Sequence, residues 1–133
     1  MNQSNREYLA LIEEAVSENT SGDRLKELAA LNNELAEIVA SNVAAPPGLL
    51  TELVSYTSKA VRKAVTSNPN TPIKTLFKLG EHFPQELLDN PAFELLYLDN
   101  SNFVINIPIQ LLLILIQYQN TPTFILNSNV RMN

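Results

Sequence analysis

The sequence contains no cysteine. Disulfides, thiolate metal sites and thiol nucleophiles are thereby excluded, and the composition fits a reducing compartment, so a cytoplasmic location is expected. Histidine occurs once, at His82. With one imidazole and no Ser/His/Asp arrangement around it, His82 reads as a surface or turn residue rather than a general base. The three glycines, Gly22, Gly48 and Gly80, stand too far apart for a phosphate-cradling loop and read as turn residues. Glu13-Glu14 and the scattered carboxylates lack metal-ligand spacing. Tyr56, Tyr97 and Tyr118 read as aromatics at the edge of a core rather than as base-stacking platforms. No catalytic, cofactor or metal site is expected, and the chain is not read as an enzyme.

Long apolar runs are lacking as well. The longest, Ile107 to Ile116, is interrupted by Pro108 and Gln110 and falls far short of the roughly 20 residues that a bilayer span requires. The opening, MNQSNREYLA, lacks the basic-then-apolar order of a signal peptide. At 133 residues the chain is read as one domain, 1–133, long enough to bury a core.

Charge is unevenly missing. The net charge of −5 disfavours general nucleic-acid binding, which depends on neutralising phosphates. No acidic residue lies between Ser55 and Gly80, yet five of the nine basic residues do: Lys59, Arg62, Lys63, Lys74 and Lys78. Lys59, Arg62 and Lys63 share one helical face. The group is either a solvated face or a patch for an acidic protein segment or a phosphate backbone. From Asn100 to Val130 there is no charged residue of either sign. That stretch is either the interior of an array with an Asn, Gln, Ser and Thr exterior, or a face that packs on another chain; self-association through residues 100–130 is the expectation taken from it.

What the sequence does contain is organised around Val61 to Leu79, VRKAVTSNPNTPIKTLFKL. Val61, Ala64 and Val65 form one stripe of a helix. Asn68-Pro69 stops it. Thr71 and Pro72 are placed to serve as N-cap and first residue of a second helix carrying Ile73, Leu76 and Phe77. Anchored on Asn68, the apolar offsets recur before Asn42 (Leu35, Ile38, Val39) and Asn19 (Ile12, Ala15, Val16). Before Asn90 they become Phe83, Glu86 and Leu87. Pro46 follows Asn42 as Pro72 follows Asn68, and Leu50 and Leu53 match Leu76 and Leu79. The anchors are 23, 26 and 22 residues apart, a period typical of a solenoid of paired short helices. Asn120-Thr121-Pro122 repeats the Asn70-Thr71-Pro72 device, and Val130-Arg131 begins a further copy that the sequence ends inside. The asparagines are read as capping groups for backbone left open where helices stop, rather than as a ligand-binding ladder.

Helices are expected from Asn2 to Glu18, with Leu9, Ile12, Ala15 and Val16 inward, and from Arg24 to Leu31, buried through Leu25, Leu28 and Leu31. Further helices are expected over Glu34 to Ser41, Pro46 to Ser55, Glu81 to Asn90, Phe93 to Leu98, and from Ile107-Pro108 to Ile116 or Tyr118.

The central stretch resembles the variant leucine-rich repeat, whose motif runs V-R-x-A-V-A-x-N-P-N-T-P-x-x-L-x-x-L. Val61, Arg62, Ala64, Val65, Asn68, Pro69, Asn70, Thr71, Pro72, Leu76 and Leu79 match it. The resemblance implies an all-α, right-handed superhelix of alternating α- and shorter 3₁₀-type helices, here about five two-helix repeats. Some members carry an iron–sulfur cluster on a cysteine-rich segment; without cysteine, nothing of that carries over. The role such a surface implies is a non-catalytic protein-interaction or assembly module. Binding of an anionic partner or nucleic acid through the Lys59–Lys78 face is the alternative.

Overall fold

The computed structural model describes residues 2–56, 58–99 and 106–118, without the side chains of 56, 97 and 99. Those residues form nine α-helices and no strand. The chain divides into two compact units, Met1–Thr71 and Pro72–Asn133, so the boundary falls within the central stretch.

The first unit holds α1 (Gln3–Val16), α2 (Gly22–Ala29), α3 (Asn33–Ser41), α4 (Pro47–Tyr56) and α5 (Lys59–Ser67). Short polar residues start four of them. Asn2, Ser21, Asn32 and Ser58 each accept a hydrogen bond from the backbone N–H three residues on, satisfying a donor that a helix start leaves open. At α4 the preceding residue is Pro46, whose side chain offers no acceptor; Leu50 N–H reaches Pro46 C=O at 3.1 Å, the same first helical bond that Leu25 makes to Ser21 in α2. Helix α3 packs against α1 on one side and α5 on the other, while α2 lies against α1 and α3, and α4 against α3 and α5. Leu25, Leu28, Leu35, Val39, Leu50, Leu53, Val61 and Val65 are fully buried where these helices meet. Each buried side chain of this kind contributes about 1.5–3 kcal/mol.

The second unit holds α6 (Ile73–Gly80), α7 (Pro84–Asp89), α8 (Pro91–Asp99) and α9 (Ile109–Leu115). Leu76, Leu87, Phe93, Ile107, Leu111, Leu112 and Leu115 make its core, with Ile73, Phe77, Leu88, Leu96 and Ile116 packed around it. Pro84 occupies the first position of α7, where its missing N–H costs nothing.

Several expectations are corrected. The second helix of each pair is α-helical, not 3₁₀: α2, α4 and α6 open with i→i−4 bonds, Leu25 to Ser21 (2.9 Å), Leu50 to Pro46 (3.1 Å) and Leu76 to Pro72 (2.9 Å). Thr71 is not the N-cap of α6. Pro72 holds that position with no side-chain cap, and the buried Thr71 hydroxyl turns back to the carbonyl of Val65 at the end of α5, which also accepts Asn68 N–H at 3.1 Å. Gly22, Gly48 and Gly80 lie inside helices, at the start of α2, in α4 and at the end of α6. The stripe of α1 is only partly covered: Ala15 is buried and Ile12 half-buried, but Leu9 and Val16 are exposed, as is Leu31 after α2. Asn120, Thr121 and Pro122 lie outside the described residues.

Candidate functional site

The most ordered polar feature is a set of side-chain amides joining successive helix pairs in the first unit. Asn42, at the end of α3, donates from Nδ2 to the carbonyls of Ala15 and Ser17, both at 2.9 Å. Asn68, at the end of α5, donates from Nδ2 to the carbonyls of Ala40 (2.8 Å) and Asn42 (3.0 Å). In both cases Oδ1 accepts the N–H two residues on, from Ala44 (2.8 Å) and Asn70 (2.9 Å). Both asparagines are buried. A helix end leaves carbonyls without partners, and each amide supplies two donors to the end before it. Asn70 adds a second tie, from Nδ2 to the carbonyls of Val43 and Ala45.

This geometry re-registers the first copy. The counterpart of Asn42 is Ser17, not Asn19, because Ser17 C=O receives the Asn42 amide 25 residues away, as Asn42 C=O receives Asn68 at 26. Ser17 Oγ accepts Asn19 N–H, the same short turn. Thr20 then donates to Glu14 C=O as Thr71 donates to Val65 C=O, each spanning six residues. The signal was present in the sequence: Thr20, Leu25 and Leu28 stand after Ser17 as Thr71, Leu76 and Leu79 stand after Asn68. Asn90 keeps the turn in the second unit, with Oδ1 accepting Ala92 N–H at 2.9 Å, but α8 begins at once with Pro91. Pro69 is exposed beside the Asn68 turn, and Pro72 is half-buried.

The five basic residues from Lys59 to Lys78 fall into two sets, one in each unit. Lys59, Arg62 and Lys63 lie on α5, with both lysines exposed and Arg62 half-buried. Lys74 and Lys78 are exposed on α6. Within the uncharged segment, Leu111, Leu112 and Leu115 are core, whereas Ile109 and Leu113, one turn apart on α9, are 55% and 46% exposed.

Elsewhere the electrostatics are local. Arg24 bridges Glu14 (2.8 Å) and Glu27 (2.9 Å). The hydrogen bond from Arg24 holds the Glu14 carboxyl below its ordinary range, and both carboxylates push the Arg24 guanidinium up. The Tyr8 hydroxyl donates to Glu34, which raises its pKa, and accepts from Asn32 Nδ2. A groove of about 330 Å³ is lined by Val16, Glu37, Ile38, Ser41 and Asn42. His82 is exposed, and among the described residues no three His, Asp or Glu side chains gather into a metal-binding group. Among them, too, no helix is long and apolar enough to cross a membrane. No protein-family model, characterised protein or solved structure matches the chain.

Proposed function

We propose that this chain is a non-catalytic protein-binding or assembly module of the reducing cytoplasm, built from two-helix repeats of the variant leucine-rich type in a right-handed solenoid. The observation that carries this reading is the recurrence of one bond set. At Asn42 and at Asn68 an amide reaches two carbonyls of the preceding helix end, closes the same turn, and is followed by leucines at the same offsets. Stacked repeats of this kind present extended surfaces without needing a reactive centre. The step from repeat to role is by architecture.

A second copy of the chain is the partner we assign to the α9 face carrying Ile109 and Leu113. Copies with a net charge of −5 repel, and a segment free of charge is where they can meet without that cost. The module reading is tested by affinity capture from native extract with the wild type beside Arg62→Glu/Lys63→Glu and Ile109→Lys/Leu113→Lys variants. A protein or second copy held by the wild type and lost from one variant supports it. Turnover of a small molecule by the purified chain contradicts it.

A further inference from the structure

Helix α5 carries its charge at the wrong end. The N-terminal turn of a helix favours acidic side chains, and α2 and α3 follow that rule with Asp23 and Glu34. The first turns of α5 hold Lys59, Arg62 and Lys63 and no acid. That placement opposes helix stability and leaves a concentrated positive potential.

Arg62 is the second sign. It is half-buried, its Nε is buried, and among the described residues its guanidinium has no hydrogen-bond or ion-pair partner. The buried N–H is a standing cost of holding Arg62 there, and a carboxylate arriving from solvent offers the fork that the rest of the guanidinium fits.

The third is the distribution of charge along the chain. Residues 1–55 hold nine acidic and three basic residues, 56–80 hold five basic and none acidic, and 81–99 hold five acidic and none basic. Within the first unit, α3 and α4 pack against α5 and carry Glu34, Glu37 and Glu52 with no basic residue, so a long polyanion on α5 would meet like charge that a short anionic segment avoids.

We propose that the Lys59–Arg62 edge of α5 binds a short acidic peptide segment, with Arg62 taking one carboxylate and Lys59 a second. This deepens the protein-binding reading and rests on it. Positions three apart on a helix are about 5–6 Å apart at Cβ. An extended peptide places alternate side chains on one side at about 6–7 Å, so acidic residues at every second position match the two cations. The Arg62 fork gives the site its preference for carboxylates, which a lysine reproduces only in charge.

The test is fluorescence anisotropy of the full chain with labelled hexaglutamate, hexaglutamine and a single-stranded thymidine oligonucleotide, at low and at physiological salt. The expected result is saturable hexaglutamate binding that weakens with salt, no hexaglutamine binding, and weaker oligonucleotide binding. Arg62→Gln should lower hexaglutamate affinity about tenfold or more, Arg62→Lys should fall between, and Lys74→Ala/Lys78→Ala should stay near wild type. The Arg62→Gln chain should melt at or above the wild-type temperature, since a buried unpaired N–H is removed. If that variant does not fold, Lys59→Gln, at an exposed position, should show the loss instead. Absence of hexaglutamate binding, an unchanged affinity on Arg62→Gln, or tighter binding of the oligonucleotide overturns the proposal. Retention of a captured protein by Arg62→Gln also sinks it, while leaving the module reading intact.

Discussion

The side-chain amide of Asn68 donates to the backbone carbonyl of Asn42 at 3.0 Å, and Asn42 in turn ties back to Ser17. One residue type thus closes its own helix end and reaches the end of the pair before it. The tie is made through backbone carbonyls, so it demands an amide at the donor position and little of the acceptor, which explains why serine suffices at position 17.

Thr71 should contribute through a single bond. Its hydroxyl is buried and donates to Val65 C=O at 2.6 Å. Thr71→Val keeps the shape and removes that bond while Val65 C=O keeps Asn68 N–H, so a loss of about 0.5–1.5 kcal/mol is expected in denaturant unfolding. Thr20→Val, at a half-buried position, should cost less. Equal or negligible losses at both sites would contradict the assignment.

Two helical glycines should respond in opposite directions. A Cβ on Gly80 would stand 2.5 Å from Leu87 Cδ2 and 3.0 Å from Leu111 Cδ1, in the core of the second unit. Gly80→Ala should therefore destabilise by about 1–3 kcal/mol from overpacking, outweighing its helix propensity. Nothing lies within 4 Å of a Cβ at Gly48, so Gly48→Ala should stabilise by up to about 1 kcal/mol. Melting temperatures that move the same way would show that the α6 end is looser than described.

Much of this fold was legible in the sequence, for identifiable reasons. Asn42 and Asn68 were readable because an amide at a helix end has few good partners besides open carbonyls. Leu50, Leu53, Leu76 and Leu79 were readable because both pairs hold the same offsets after the asparagine. Ser17 was missed because Asn19, two residues on, offers the same side chain in nearly the same place. Thr71 was misassigned because a threonine before a proline is equally suited to cap forward; what decides is the turn at Asn68, which brings the hydroxyl within reach of the second lone pair of Val65 C=O. Periodicity identified the α1 stripe but not its cover, so the exposure of Leu9 and Val16 was not readable. The basic run on α5 was plain, whereas the burial of Arg62 Nε depends on neighbours that composition does not name.

Acid should act on the α1–α2 connection. The Glu14 carboxyl is held below its ordinary range by Arg24, so the folded chain binds fewer protons there than the unfolded chain. That contribution is complete above the ordinary carboxylate range and is lost as pH falls through the folded value. The difference in melting temperature between wild type and Glu14→Gln should accordingly narrow on acidification. A difference independent of pH would contradict the pairing.

Self-association should depend on α9. Sedimentation of the wild type is expected to show a concentration-dependent dimer that Ile109→Lys/Leu113→Lys abolishes, with the helical circular dichroism retained. A strict monomer at all concentrations would remove the second copy from the account.

The central claim is that amides bind one helix pair to the next, and denaturant unfolding of Asn68→Ala tests it most directly. That substitution removes two donations into the Ala40 and Asn42 carbonyls and one acceptance from Asn70. The account predicts a loss of about 2–4 kcal/mol. An unfolding free energy within about 0.5 kcal/mol of wild type, the range of an ordinary surface substitution, would contradict it.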